Sequence, residues 1–166
     1  MAQVVAKLGD DISTDVIYPG RFMATVLPSE TPEFAFADDK GLNRRLREGE
    51  IPKASVIVAG NNFGSGSSRE QAASTLKGYE LVIVARSFAR IFLQNAINLG
   101  LSTVECPEIE AEIGHDLEIT RDTIVNKTLG RSFGVNPLPA SRKAVVEAGG
   151  LIAYTRQRVL ERASQR

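Results

Sequence analysis

Three continuous apolar runs in the middle of the chain alternate with two segments in which apolar residues recur at helical spacing. The apolar runs cover residues 55–59, 81–85 and 101–106. Such runs are typical of parallel strands that are buried on both faces of a sheet. The helical segments cover 68–78 and 87–99, and we expect Gly78 and Gly100 to end them as C′ glycines and Ser87 to cap the second. The pattern therefore predicts a strand–helix–strand–helix–strand unit with right-handed parallel connections.

Shorter elements are predicted on either side of this unit. Before it we expect a strand, an ordered loop and a charged helix, at 4–8, 9–22 and 40–48. After it we expect an acidic helical turn, a hairpin, a third strand and two helices, at 108–113, 117–126, 131–135, 139–148 and 152–162. Because parallel and antiparallel strands both occur, the predicted fold class is α+β, with a mixed sheet and flanking helices.

Length, charge and cysteine content narrow the classes of protein to consider. The length predicts a single domain over 1–166, and we expect a frayed tail from about residue 160 to 166. The 20 basic and 20 acidic residues balance, which argues against a nucleic-acid-binding face. No apolar run approaches the roughly 18 residues that cross a membrane, and no secretion signal is recognised, so we expect a cytoplasmic protein with no membrane partner. Because Cys106 is the only cysteine, we expect no disulfide, no complete iron–sulfur site and no bound metal.

The most distinctive segment is the glycine-rich stretch 60–70, which joins the first apolar run to the first helical segment. Its glycines permit positive φ angles and the close approach of a ligand. Ser67 and Ser68 are favoured N-cap residues, and Glu70 would complete a capping box with Ser67. The first amides of a helix lack internal partners, so this terminus can bind an anion beside the Arg69 guanidinium. The residues alone thus predict an anion site with a hydroxyl.

Known glycine motifs of other classes do not fit this stretch. It has no lysine for a P-loop, it has Arg69 where a dinucleotide-binding motif needs a small residue, and none of its serines lies in Gly-x-Ser-x-Gly. Two interpretations without catalysis stay open. One is a tight turn with an ordinary cap, and the other is a non-catalytic module that binds an anion or a nucleotide.

The same stretch resembles the signature of the aconitase swivel domain, in the form found in the small subunits of 3-isopropylmalate dehydratase and homoaconitase. The residues that carry the resemblance are Asn62-Phe63-Gly64-x-Gly66-Ser67-Ser68-Arg69-Glu70-x-Ala72. Segments 9–22 and 85–100 resemble the segments that precede and follow this signature in the family. Three motifs in the same order are far more specific than one glycine loop, and the resemblance is strong through residue 106.

This resemblance implies a β/β/α layered swivelling domain and a hydro-lyase activity. The chain would be the small subunit of an enzyme that isomerises 2-isopropylmalate and 3-isopropylmalate, which are small dicarboxylates, by dehydration and rehydration in leucine biosynthesis. A large subunit would hold a [4Fe–4S] cluster in a heterodimer or heterotetramer, and this chain would bind no cofactor itself. The alternatives inside the family are a homoaconitase small subunit and the small subunit of another alkylmalate dehydratase.

The resemblance also implies roles for individual residues of the glycine-rich stretch. Ser67 corresponds to the serine that removes a proton from carbon as an alkoxide. A free serine hydroxyl is a very weak acid, so amides of the loop and helix would have to hold the alkoxide as an oxyanion hole does. Gly66, Ser68 and Arg69 would bind the substrate, the last two through its carboxylate.

Residues Met23, Ala24 and Thr25 fall in the family's substrate-specificity loop. Homoaconitase-like sequences have an arginine where Ala24 stands, and alanine cannot pair with the extra carboxylate of their substrate. The loop therefore favours an alkyl group such as isopropyl. We also expect segment 9–22 to pack against the glycine-rich stretch and to line the same cleft.

Three other side chains could take part in binding or catalysis. Arg86 and Arg90 either lie at the ligand-binding edge of the parallel sheet or cover the polar face of the second helix, and the sequence leaves both possibilities open. His115, the only histidine, lies in a turn between acidic and glycine neighbours, where we expect a structural role.

Overall fold

The computed structural model describes residues 1–164, which form a seven-stranded mixed sheet with helices between its strands. The strands are β1 Ala2–Lys7, β2 Val56–Ala59, β3 Val82–Ala85, β4 Ser102–Glu105, β5 Asp116–Ile119, β6 Thr123–Asn126 and β7 Arg131–Gly134. The helices are α1 Thr14–Ile17, α2 Lys40–Arg47, α3 Glu70–Gly78, α4 Arg90–Leu99, α5 Ala140–Glu147 and α6 Leu151–Ser164, with 3-10 turns at Gly20–Phe22 and Thr31–Phe34. The strand order β4-β3-β2-β1-β5-β6-β7 confirms the predicted α+β class.

The parallel part of the sheet is the predicted strand–helix–strand–helix–strand unit. Strands β2, β3 and β4 pair in parallel, with Val56 opposite Val82 and Val82 opposite Ser102. Strand β1 pairs in parallel with the other edge of β2. Every residue of β2 is buried, because this strand has neighbours on both sides and apolar layers on both faces.

The antiparallel part is the predicted hairpin with its third strand. β5 pairs with β6, with Leu117 opposite Asn126, and β6 pairs with β7. Antiparallel pairing of β5 with β1 attaches the hairpin to the parallel part, so both kinds of strand share one sheet.

Two apolar layers form the core, one on each face of the sheet. Alternate residues of a strand point to opposite faces. Ile57 and Ala59 therefore pack in the layer that contains residues of α3 and α4, whereas Val56 and Val58 pack in the layer that contains the hairpin. Burial of a side chain of this size stabilises a fold by about 1.5–3 kcal/mol. The carboxyl end of β2, from which the glycine-rich stretch departs, is thus held from both sides.

The N-caps predicted for the two central helices are wrong. α3 and α4 both begin without a side-chain cap, and the capping box of Ser67 and Glu70 does not form. Ser87 instead accepts a hydrogen bond from the amide of Asn62 at 2.9 Å. Long-range contacts have taken the place of these local ones.

The two glycines expected to end these helices behave differently. Gly100 ends α4 in the left-handed conformation with φ of 72°, as predicted. Gly78 is the last residue of α3 and is not among the residues with positive φ, so its prediction as a C′ glycine is wrong. A Cβ at Gly78 would lie 2.3 Å from Pro32 Cγ, so close packing is what requires a glycine here.

Three other segments differ from the expected elements. The ordered loop 9–22 contains the short helix α1 and a 3-10 turn, and Ser13 caps α1 by accepting from the Val16 amide at 3.3 Å. Segment 108–113 is not helical. α6 extends through Ser164, so residues 160–164 are helical where we expected a frayed tail, and residues 165–166 of that tail lie outside the described part.

Candidate active site

An aromatic cluster holds the glycine-rich loop 60–69, which leaves the end of β2. Phe63 is fully buried and meets Phe88 and Phe92 edge to face, with ring centroids 6.0 and 5.2 Å away. Gly64 has a φ of 83°, and a Cβ there would lie 2.2 Å from Phe92 Cγ. Conformation and space both require glycine at this position, so the loop has one well-defined path above the cluster.

Segment 9–22 lies across the glycine-rich loop, as expected. Ile12 O accepts hydrogen bonds from the amides of Gly64 and Ser65 at 2.7 and 3.2 Å, and the Thr14 amide donates to Ser65 O at 2.8 Å. Asp10 Oδ1 accepts from the Asn61 amide at 2.6 Å. These bonds place α1 beside the start of α3.

The last residues of the glycine-rich loop, immediately before α3, leave a row of amides without a partner. Within residues 1–164 the amides of Gly66, Ser67, Ser68 and Arg69 donate no hydrogen bond to another group of the chain. Both serines are exposed, so a ligand can reach this row. Unpaired amides at a helix start carry partial positive charge and favour an anion. The anion site predicted from the sequence therefore has open donors in the folded chain.

Ser67 combines exposure with one contact to the interior. Its hydroxyl lies 3.1 Å from the hydroxyl of Thr14, the first residue of α1. Thr14 is only 1% exposed, and its Oγ1 also lies 3.2 Å from Ser67 O. The candidate base is thus open to a substrate on one side and bonded to a buried hydroxyl on the other.

Arg69 joins three segments of the chain at the edge of the site. Its side chain is 9% exposed, and Nη1 donates to Asp15 Oδ1 at 2.6 Å and to Tyr18 O at 2.7 Å. Nη2 donates a weak hydrogen bond to Met23 Sδ at 3.6 Å and donates to no oxygen within residues 1–164. One side of the guanidinium therefore holds the fold, and the other retains donors that suit a carboxylate.

The predicted specificity loop lies beside the first turn of α3. Gln71 Nε2 donates to Met23 O at 3.3 Å, and the hydroxyl of Tyr18 donates to Thr25 O at 3.3 Å. The side chains of Met23 and Ala24 are exposed, and Thr25 is half-buried. Arg69 and Gln71 thus connect this loop to the end of the glycine-rich loop and to the first turn of α3, although the contacts span more than 40 residues of sequence.

Sequence reasoning singled out neither Thr14, Asp15 nor Asn95, although all three contact the site. Asn95 Nδ2 donates to Ser68 O at 3.2 Å and so ties α4 to the loop. The three residues lie in segments 9–22 and 85–100, whose resemblance to the family was the available signal. Their contacts to Ser67, Ser68 and Arg69 depend on tertiary folding and have no local pattern.

The remaining candidates do not contact Ser67. Arg86 lines a groove of about 450 Å³ on the hairpin side of the sheet, together with His115 and the acidic segment 110–112. His115 Nδ1 accepts a hydrogen bond from the Glu112 amide at 3.1 Å, in agreement with a structural role. Arg90 is exposed at the start of α4, where it lines a small cavity with Asn95.

The part of the chain that the structure describes offers no evident cluster ligands. Among residues 1–164 no three His, Cys, Asp or Glu side chains lie together as a metal site needs. Burial raises the pKa of Cys106 to about 11, so its thiol stays protonated at neutral pH and does not suit an iron–sulfur cluster. Within the same residues no helix has both the length and the apolar character to span a bilayer.

Comparison with known proteins adds independent findings. Residues 36–109, which include the glycine-rich loop, match the family described as the aconitase C-terminal domain. The chain is 40% identical over 160 residues to the 3-isopropylmalate dehydratase small subunit of Methanosarcina mazei, covering 94% of this chain and 96% of the relative. It is 43% identical over 155 residues to 3-isopropylmalate dehydratase small subunit 1 of Archaeoglobus fulgidus, covering 90% and 93%.

A solved structure is similar over nearly the whole length of the chain. The crystal structure of a 3-isopropylmalate dehydratase from Methanocaldococcus jannaschii superposes with a TM-score of 0.89 at 33% identity. The match covers 99% of this chain and 98% of the other. The similarity therefore extends past residue 106, into the region where the motifs were uninformative.

Proposed function

The chain belongs to the family of 3-isopropylmalate dehydratase small subunits in the aconitase superfamily, and from this premise we propose how it works as part of a hydro-lyase. It serves the isomerisation of 2-isopropylmalate and 3-isopropylmalate, by dehydration and rehydration, in leucine biosynthesis. The observation that carries the proposal is the exposed Ser67 hydroxyl beside the unpaired amides at the start of α3.

Ser67 is the group that takes the proton from the substrate carbon. As an alkoxide its Oγ accepts the proton when the C–H bond breaks, and it returns the proton to carbon when the double bond is hydrated. The open amides of residues 66–69 supply the positive potential that an anion there needs. One such preorganised donor contributes about 3–4 kcal/mol in a catalytic oxyanion hole.

The substrate carboxylate binds next to this base. Arg69 offers the side of its guanidinium that faces Met23, while Asp15 and Tyr18 hold the other side in place. The Ser68 hydroxyl and the Gly66 amide supply further donors. A charge-assisted contact of this kind fixes the orientation of the substrate as well as contributing affinity.

The specificity loop favours an alkyl substituent. Met23 and Ala24 present apolar surface at the cleft, and Thr25 stands half-buried behind them. None of the three side chains can pair with an additional carboxylate, and an unpaired buried charge is costly. The isopropyl group therefore fits the loop better than the carboxylate of a homoaconitase substrate.

A larger subunit completes the enzyme. The relatives are named small subunits, and this chain closes over a partner in a heterodimer or heterotetramer. We assign the [4Fe–4S] cluster to that partner, because residues 1–164 of this chain bring no three His, Cys, Asp or Glu side chains together and burial keeps the Cys106 thiol protonated. This chain's own contribution is the proton transfer at carbon and the grip on the carboxylate.

Reconstitution tests the proposal directly. We expect the purified chain alone to show no turnover of 2-isopropylmalate, and the complex with an iron–sulfur large subunit of the same family to interconvert the two isopropylmalates. Calorimetry on the isolated chain with nucleotides separates the proposal from a non-catalytic nucleotide module. Micromolar nucleotide binding together with an inactive complex would overturn the assignment.

A further inference from the structure

Thr14 is a buried hydroxyl whose position is fixed by the backbone. It is 1% exposed, and its amide donates to Ser65 O at 2.8 Å, so α1 carries it in register with the glycine-rich loop. Its Oγ1 reaches only one residue of that loop through side-chain contacts, namely Ser67, at both the hydroxyl and the carbonyl oxygen. The distances are 3.1 Å to Ser67 Oγ and 3.2 Å to Ser67 O.

A threonine hydroxyl has one hydrogen to donate and two lone pairs to accept with. When Ser67 is neutral, Thr14 can donate to Ser67 O while Ser67 donates to Thr14 Oγ1, and both bonds are satisfied. When Ser67 is ionised it can only accept. The Thr14 hydrogen can then turn to Ser67 Oγ, because both acceptors lie within reach of the same oxygen.

We propose that Thr14 is a positioning residue that orients the neutral Ser67 hydroxyl and donates a hydrogen bond to Ser67 Oγ whenever that oxygen is ionised. Thr14 keeps its own proton throughout, and the proton from the substrate carbon ends on Ser67 Oγ. The inference rests on the proposed role of Ser67 as the base. A hydrogen bond to an ionised oxygen is about twice as strong as a neutral one, and burial strengthens it further.

The competing interpretation is that Thr14 only supports the loop through its bond to the Ser67 carbonyl. Thr75 provides a matched control for that role. It is also a fully buried threonine, and its Oγ1 donates to the carbonyl oxygen of Thr31 at 2.8 Å, without any contact to Ser67. Valine at either position removes one buried hydroxyl-to-carbonyl bond, but only at Thr14 does it also remove the partner of Ser67 Oγ.

The test compares Thr14→Val, Thr14→Ser and Thr75→Val in the assembled two-subunit enzyme. For Thr14→Val we expect kcat to fall about 10- to 100-fold with KM changed less than about threefold, since the lost bond acts on the ionised base. The rising limb of the kcat–pH profile should move to higher pH, because the alkoxide is harder to form. Thr14→Ser should restore kcat to within about threefold of the original enzyme, since serine keeps the hydroxyl. The rising limb of its kcat–pH profile should lie at the original pH.

Two outcomes separate this inference from the proposed function, and a second pair of variants covers a failure to assemble. If Ser67→Ala keeps near-normal turnover, the base itself is wrongly assigned. If Ser67→Ala is inactive but Thr14→Val has an unshifted pH profile and loses no more activity than Thr75→Val, only the role of Thr14 is overturned. If Thr14→Val does not assemble, Thr14→Ala against Thr14→Ser gives the same comparison, because alanine fits the space without added volume.

Discussion

Two clusters of polar side chains join distant segments of this chain, and they differ in what they leave unpaired. In the hairpin cluster, Asn126 is fully buried and donates through Nδ2 to Glu110 O and toward His115 Nδ1, both at 3.0 Å. Its Oδ1 accepts from the Leu129 amide at 3.1 Å. In the glycine-loop cluster, the Thr14 hydroxyl contacts the Ser67 hydroxyl, and the backbone amides of residues 66–69 have no hydrogen-bond acceptor within residues 1–164.

The difference separates a structural network from a site that can bind. A buried polar group whose bonds are all made stabilises one arrangement and has no capacity left for a ligand. Donors left open at the surface contribute little to the fold, yet they can hold an anion. Polar groups between two chain segments thus serve stability in the hairpin cluster and, in the proposed mechanism, chemistry in the glycine-loop cluster.

The largest effect should come from Ser67→Ala in the assembled enzyme. We expect kcat to fall about 10²- to 10⁴-fold, the range that a general base contributes, while the substrate still binds. Because Ser67 is exposed and Thr14 can still donate to the carbonyl oxygen of residue 67, the free energy of unfolding of the isolated chain should change by no more than about 1 kcal/mol. Steady-state kinetics and thermal unfolding check the two halves of this prediction.

Ser141→Ala is the matched control, since Ser141 is exposed on α5 outside the cleft. It should change neither quantity. Equal activity of the two variants would remove Ser67 from the chemistry.

Asn126→Ala should lower the stability and leave the activity nearly unchanged, the opposite of what we expect for Ser67→Ala. Loss of this fully buried side chain leaves a cavity and removes the partners of Glu110 O and the Leu129 amide, which should lower the free energy of unfolding by about 2–4 kcal/mol. Such a loss corresponds to a fall of roughly 5–15 °C in Tm for a chain of this size. In complexes that remain folded, kcat should stay within about threefold of the original.

A loss of activity in folded Asn126→Ala would contradict this distinction between a structural cluster and a binding cluster. A large fall in kcat at a temperature where Asn126→Ala is still folded would mean that the hairpin network acts on the active site. Scanning calorimetry of the complex fixes the temperature at which to make the comparison.

The sequence predicts the elements around the glycine-rich loop better than it predicts segment 108–113 of the hairpin cluster, for a physical reason. Apolar runs and helical spacing predict β2, α3, β3, α4 and β4 because each of these elements buries its own apolar residues. Segment 108–113 was wrongly predicted as helical, because Ile109 and Ala111 enter the core at every second position, which is extended spacing. Glu110 between them turns its carbonyl oxygen to Asn126, a contact that no local pattern encodes.

The start of α3 shows the same limit inside the candidate site. Serine before an acidic residue is a capping signal, but Ser67 is drawn to Thr14 across 53 residues of sequence. The guanidinium of Arg69 is likewise held by Asp15 and Tyr18. The motif identified the stretch, and tertiary contacts determine which of its donors remain open.

Arg69 both holds chain segments together and offers donors to a substrate, so Arg69→Lys tests whether one residue combines a structural and a binding role. Lysine keeps the charge but cannot bond Asp15 and Tyr18 on one side while it presents a second nitrogen to the substrate. We expect KM for 2-isopropylmalate to rise about 10- to 30-fold, with a smaller fall in kcat, because the single nitrogen of lysine cannot hold Asp15 and Tyr18 and contact the substrate at the same time. Arg86→Lys, in the groove on the hairpin side, is the control and should leave KM unchanged. An unchanged KM for Arg69→Lys would restrict this arginine to a structural role.

The smallest effect is expected at Ala24, in the loop that we propose to contact the variable part of the substrate. Apolar contact alone discriminates substrates by a few kcal/mol at most, and the loop is exposed, so an added charge is partly screened. Ala24→Arg should lower kcat/KM for 2-isopropylmalate and raise it for a substrate with an extra carboxylate, such as cis-homoaconitate, for a combined shift of about tenfold.

Ser29→Arg adds the same charge to an exposed position farther along the chain and should shift neither value. If both variants shift the ratio equally, the effect is long-range attraction of an anion. A shift confined to Ala24→Arg would mean that this loop discriminates between substrates by their variable substituent. The unpaired amides before α3 cannot make that distinction, because they bind the carboxylate that the substrates share.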